Sequence, residues 1–410
     1  VILKPVEILN VSVWLGDTQV SVGRLAQVRG QIYFEYDIDF LSRGIELSPF
    51  KLPLKSGVQV CSDRMFEGLF GVFNDSLPDG WGRLLLDRAV QGRGVSHQSL
   101  TPLDRLAHVG SEAMGALEYK PDYSIGGVSK DKLNLLAIED EISKVIKGEP
   151  SQVIEKLMAL GGSSAGARPK ILVGFSHENN EIIHGIKDLP GGYEPWMIKF
   201  ASVLDQPDIA RIEYAYSLMA EAAGVEVPPT KLFEEQGKKA FFGVRRFDRV
   251  LNQKIHMHSV AGMLHADHRI PSLDYENIMR CTMMLTRDVK EVERVFRLAI
   301  FNVYAHNRDD HSKNFSFLMD AQGNWRFAPA YDITFSYGPG GEHSSMVMGE
   351  GRNPSSKDLM KLGEKFQVKD IKEKIAMVRN IVSEWPKYAE IAQVTKESKS
   401  LIKNRLSQIG

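Results

Sequence analysis

His306-Asn307-Arg308-Asp309-Asp310-His311-Ser312-Lys313-Asn314 follows residues 288–305, where Val289, Val292, Val295, Phe296, Ala299, Ile300 and Val303 recur at three- and four-residue steps. That recurrence predicts an amphipathic helix, so the nine polar residues form the loop at its end. Within the loop, Asp309 precedes Asn314 by five residues. A carboxylate and a carboxamide at this spacing suit one cleft, the first turned to an attacking hydroxyl and the second to a hard cation. Eighteen residues past Asn314, after the strand-like Trp325-Arg326-Phe327, Asp332 stands in Ala330-Tyr331-Asp332-Ile333. Asp309, Asn314 and Asp332 are the candidate acceptor-facing and metal-binding groups of a phosphoryl-transfer site.

Such a site also needs a phosphate cradle and fixed cations. Upstream lies Gly161-Gly162-Ser163-Ser164-Ala165-Gly166-Ala167-Arg168-Pro169-Lys170. Its small residues let backbone N–H groups approach a polyphosphate, and Arg168 or Lys170 adds charge. A hinge between subdomains would use the same residues. Counting GxxxxGK from Gly161 puts Ala167 where lysine must stand, which disfavours a P-loop NTPase. Lys199 sits in the apolar strand Trp196-Met197-Ile198-Lys199-Phe200. Pointing inward it needs an anion; pointing outward it needs only water. Glu213, on a helix expected over residues 209–223, is the first candidate partner, and Glu221 the second.

Farther out, the first 60 or so residues read as short strands, with Val11, Val13 and Leu15 alternating before Gly16-Asp17. Pro78-Asp79-Gly80-Trp81-Gly82 is a turn opening a helix with Leu84, Leu85 and Leu86. Further strands are expected at residues 170–175, 196–200, 230–234 and 240–247, and mostly helix beyond them. We expect an α+β, two-lobed fold: a β-rich N-terminal subdomain over 1–125, the rest of a small lobe with the glycine loop and Lys199 over 126–250, and a mostly helical lobe over 251–410.

Composition narrows the class. Of 410 residues, 43% are hydrophobic and 25% charged, ordinary for a globular protein. No apolar run reaches the ~18–20 residues that span a bilayer, and nothing at the start of the chain reads as a signal peptide, so a membrane role is not expected. Two cysteines, Cys61 and Cys281, make a disulfide framework or structural zinc site unexpected and a cytoplasmic setting the expectation. The net charge of −1 hides a gradient, because residues 351–410 hold 13 Lys and Arg against 7 Asp and Glu. A basic C-terminal part can be a solvated surface or can face nucleic acid. His256, His258, His265 and His268 lack a Cys or carboxylate complement for zinc and read as surface and capping residues.

Taken together, Ser163 to Lys170, Trp196 to Phe200, VRRFDR (Val244 to Arg249), NRDDHSKNFSFL (Asn307 to Leu318) and APAYDI (Ala328 to Ile333) resemble the HipA family of bacterial toxin–antitoxin kinases. The N-terminal WLGD, the PDGWG turn and Met114-Gly115-Ala116-Leu117 extend the resemblance over nearly the whole chain. It implies a protein-kinase-like fold, distantly related to lipid kinases, with ATP and Mg²⁺ between two lobes. By motif, Asp309 is the catalytic residue, Asn314 and Asp332 bind metal, and Lys199 binds ATP. Nucleotide contacts are further implied for Ser164, Ala165, Gly166, Ala167, Arg168, Lys170, Arg245, Arg246, Phe247, His311, Lys313 and Tyr331. Arg245 departs from the glutamate of some members. The family's autophosphorylated serine falls on Ser163, with Ser164 its neighbour, and phosphate there would compete with ATP for the same loop. Implied partners are a HipB-like helix-turn-helix antitoxin, operator DNA through that complex, and a protein substrate such as an aminoacyl-tRNA synthetase. The alternatives are a small-molecule or lipid kinase of the same fold, and a non-catalytic co-repressor; the latter would be expected to lose Lys199, Asp309, Asn314 or Asp332.

Overall fold

The computed structural model describes residues 4–125, 131–148, 154–161, 168–185, 188–203, 205–235, 239–250 and 252–409. Its first unit is an antiparallel sheet of β1 (Ile8–Leu15), β2 (Thr18–Val28), β3 (Gln31–Tyr36), β4 (Gln59–Val60) and β5 (Leu117–Lys120), ordered β4-β3-β2-β1-β5. Alternation sets its faces: Leu9, Val11 and Val13 are buried while Ile8 and Asn10 face solvent. Phe34 of β3 lies on the inner face, against which Phe40, Phe73 and Leu103 pack.

A second antiparallel sheet carries the site. Its strands β6 (Lys170–Ser176), β7 (Glu181–His184), β8 (Glu194–Lys199), β9 (Thr230–Glu235) and β10 (Lys239–Arg245) are ordered β7-β6-β8-β10-β9. Trp81 and Leu85 of the helix Gly80–Gln91 join its core, beside Leu135, Ile142 and Leu157 from two further helices. The PDGWG helix is thereby an N-terminal segment packed under the second sheet.

The third and largest core belongs to the helical lobe and centres on the helix Val289–Tyr304, whose Val292, Val295, Phe296, Ala299, Ile300 and Val303 are all buried. This lobe is less purely helical than its sequence suggests. Ser316–Met319 and Trp325–Phe327 form a short hairpin after the polar loop, and His256–Ser259, 57 residues before it, adds a third strand that no local pattern joins. Among the described residues, no helix is long and apolar enough to cross a membrane.

Of the four histidines expected to be surface or capping residues, His268 is half-buried and His265 does cap the helix Val260–Leu264, but His256, His258 and His265 are all buried where the N-terminal unit meets the helical lobe. His256, His258 and His265 are at most 8% exposed. His258 Nδ1 donates to Asp75 at 2.6 Å, and its Nε2 lies 3.0 Å from the Ser48 hydroxyl. Ser48, His258 and Asp75 thus line up like a hydrolase triad, yet Ser48 is fully buried and open to no substrate. His265 Nε2 accepts the Gly71 N–H at 3.0 Å, and Gly71 approaches Gly262 so closely that a Cβ on it would stand 2.0 Å from the Gly262 carbonyl oxygen. Extended, half-polar sequence hid this interface because each histidine's partner lies about 180 to 210 residues away.

Candidate active site

Lys199 ends β8 with its ammonium turned inward, 8% exposed. It lies 3.1 Å from Glu213 Oε2 on the helix Ile209–Ala222 and pairs directly with Asp332. Glu221 is exposed on the same helix. Burial would by itself lower the Lys199 pKa, but Asp332 and Glu213 outweigh it and the net shift is upward. Burial would raise Asp332, and Lys199 with Lys170 holds it well below the ordinary carboxylate range instead. Asp332 adopts φ 54°, a left-handed backbone that aspartate tolerates better than most residues, and its carboxylate meets the lysine.

The glycine-loop residues Ser163, Ser164, Ala165, Gly166 and Ala167 lie outside the described residues. Arg168, at the loop's exit, pairs with the second oxygen of Glu213 and takes Asp205 Oδ1 at 2.8 Å. Asp205 was not visible as a site residue in the sequence, because an acidic residue in a loop carries no spacing signal. Lys170 opens β6 opposite Lys199 in register and is 3% exposed. Burial presses its pKa down against the pull of Asp332. Three cations and the carboxylates Glu213, Asp205 and Asp332 therefore meet at one end of the second sheet.

The polar loop supplies the other wall, and its residues divide by direction. Asp309 is 57% exposed to the cleft. The cleft walls still desolvate its carboxyl enough to raise its pKa, His311 opposing and Asp332 reinforcing. Asp310 is 1% exposed; it accepts from Tyr275 Oη at 2.8 Å and His343 Nδ1 at 3.0 Å, and from the Ser345 N–H at 3.2 Å. Asn314 donates its amide N–H to the Asp309 carbonyl at 2.7 Å, which leaves the side-chain oxygen as its cation-binding end. His306 donates through Nδ1 to the Ser336 carbonyl and accepts from Arg405; burial first, then the nearby Arg308 and Arg405 charges, push its pKa down to about 4 against the opposing Ser336 bond. Lys313 pairs with Asp79 at 2.8 Å, and its carbonyl accepts the Tyr331 hydroxyl at 2.5 Å. His311 packs edge-on to His268, ring centroids 5.7 Å apart.

Phe247 and Tyr331 face each other with centroids 5.4 Å apart, a pair of flat surfaces able to border an aromatic base. Arg245 is half-exposed and bonds Glu194 at 3.0 Å. Arg246 is buried, its guanidinium committed to Asp248 at 2.7 and 2.9 Å and its backbone N–H to the Pro195 carbonyl at 2.9 Å. Asp248 also takes Arg249 at 2.7 Å and the Gly115 N–H at 2.8 Å, which ties the VRRFDR segment to the N-terminal unit.

No three His, Cys, Asp or Glu side chains converge to hold a metal among the described residues. The carboxylate of Asp332 and the amide oxygen of Asn314 are hard donors of the kind Mg²⁺ takes in ones and twos, completed by water and phosphate. The donor chemistry therefore fits.

Residues 162–389 match the HipA-like C-terminal domain and residues 11–120 the HipA N-terminal domain. A Sinorhizobium fredii protein, Y4mE, provisionally named a kinase, is 27% identical over 330 residues, 76% of this chain and 74% of its own. A Haemophilus influenzae protein named in the same way is 26% identical over 187 residues, 42% of this chain and 52% of its own. Among solved structures, the Shewanella oneidensis toxin–antitoxin complex of HipA, HipB and operator DNA aligns with TM-score 0.68 over 98% of this chain and 95% of that one, at 16% identity, which shows a shared fold.

Proposed function

The chain belongs to the HipA family, and from that premise we propose that it is an ATP-dependent protein kinase acting on serine or threonine, the toxin of a HipA–HipB-like module. The observation that carries this reading is the buried Lys199 ammonium held between Glu213 and Asp332, with the Asp309 carboxylate open to the same cleft. The kinase names of the two relatives support it.

In this reading Lys199, Lys170 and Arg168 bring positive charge to the ATP phosphates, and Phe247 with Tyr331 borders the adenine. The acceptor oxygen bonds to the γ-phosphorus as the bond to the β–γ bridging oxygen breaks, and ADP leaves. The hydroxyl proton passes to Asp309, whose upward-shifted carboxyl suits that role. Asn314 and Asp332 would hold Mg²⁺, which neutralises phosphate charge when bound. Asp332 pairs with Lys199, so the same carboxylate that would hold the metal also fixes the lysine at the phosphate end.

Self-modification at Ser163, or at Ser164 beside it, is part of the proposal, as is restraint by a HipB-like antitoxin on operator DNA in the cytoplasm. The Shewanella complex supports the partner assignment by its composition. An aminoacyl-tRNA synthetase is the proposed class of target. Incubation with Mg·ATP followed by mass spectrometry tests the reading, comparing wild type with Asp309→Ala and Asp332→Ala. Phosphate on the wild type alone is expected. Equal modification of all three, or failure of the wild type to bind ATP, would refute it.

A further inference from the structure

We propose that Asp79, supplied by the N-terminal domain, is a positioning residue of the phosphoryl-transfer site and acts through Lys313; this rests on the kinase reading above. Asp79 occupies the N-cap of the helix Gly80–Gln91, yet its side chain makes no capping bond. An aspartate at that position normally accepts a first-turn N–H. Here Oδ2 instead holds Lys313 Nζ at 2.8 Å, across 234 residues of sequence. The two side chains are 21% and 13% exposed, sheltered enough that solvent does not dissipate the attraction.

Lys313 is consequently fixed at both ends. Asp79 holds the ammonium, and the Tyr331 hydroxyl holds the carbonyl, with Asn314 and Asp332 the next residues along each chain segment. The negative charge of Asp79 also acts on Lys170 and His268, so it is the N-terminal domain's contribution to the cation cluster at the phosphate end. Released from Asp79, the flexible Lys313 stem would be free to turn to Asp309, four residues back in the same loop, and mask the acceptor-facing carboxylate. Asp79 falls in the segment matched to the HipA N-terminal domain and Lys313 in that matched to the C-terminal domain. On this inference the two domains complete one site.

The test is single-turnover transfer from Mg·ATP by the full chain, alongside affinity for a Mg-bound, non-hydrolysable ATP analogue. Asp79→Asn is expected to slow transfer about 10-fold or more while changing analogue affinity less than about 3-fold, the signature of misplacement. Asp79→Glu, which keeps the charge, should recover most of the rate at the same melting temperature. In a Lys313→Gln background, Asp79→Asn should have a much smaller effect than in the wild type. An equal loss in that background, or a rate loss matched by a fall in melting temperature that Asp79→Glu shares, overturns the inference. If the wild type transfers and Asp79→Asn transfers equally fast, only this inference falls. A wild type that neither binds the analogue nor transfers fails the kinase reading itself.

Discussion

Asp309 and Asp310 are adjacent in the chain and face opposite ways: one carboxylate is 57% exposed to the cleft, the other is fully buried under Tyr275, His343 and Ser345. In the proposed reading the first receives the acceptor proton; the second fastens the loop to the helical lobe.

The pair predicts separable phenotypes. Asp309→Asn should abolish phosphoryl transfer and leave chemical denaturation unchanged within about 0.5 kcal/mol. Asp310→Ala strands three buried donors and should cost roughly 3 kcal/mol or more of stability. Denaturant titration of the two variants beside a transfer assay checks both.

Glu213 divides its oxygens between Lys199 and Arg168. Glu213→Gln should loosen both cations and raise the KM for ATP about 10-fold, with a smaller effect on kcat. Steady-state kinetics with varied ATP would show it, and an unchanged KM would remove Glu213 from the nucleotide site.

The domain interface makes a pH prediction. Burial first, and the neighbouring His258 second, press the His256 pKa down to about 4. In the unfolded chain it titrates near ~6.5, so the folded state resists a proton the unfolded state accepts, and stability falls as pH drops from about 6.5 toward 4. The loss approaches about 3 kcal/mol from this residue. Unfolding free energies at pH 7.5 and 5 should differ more for wild type than for His256→Gln.

Gly71 and Gly262 make a backbone-close contact across the same interface. Gly71→Ala should destabilise by about 2 kcal/mol or more, since the nearest atoms are main chain and cannot swing aside. Gly191→Ala, with nothing within 4 Å of its Cβ position, is the matched control and should be silent in a melting assay.

Much of this protein was legible before any tertiary contact. The three- and four-residue recurrence of Val292 through Val303 is a local pattern, so it places the helix Val289–Tyr304 within one residue at each end. The strands around Lys170 and Lys199 are local in the same sense. The five-residue step from Asp309 to Asn314 marked the loop for its chemistry. Spacing to Asn314 singled out Asp309 but gave Asp310 no role, and sequence left open whether Lys199 turns inward and whether Glu213 or Glu221 meets it. It showed Asp79 only as a turn residue, and read His256, His258 and His265 as surface and capping residues without their burial. Those outcomes depend on partners 14 to over 200 residues away. Periodicity records which face of an element is apolar; the identity of a buried charge's counter-ion is decided only when separate elements pack, because that is when water is lost and each charge must find a partner.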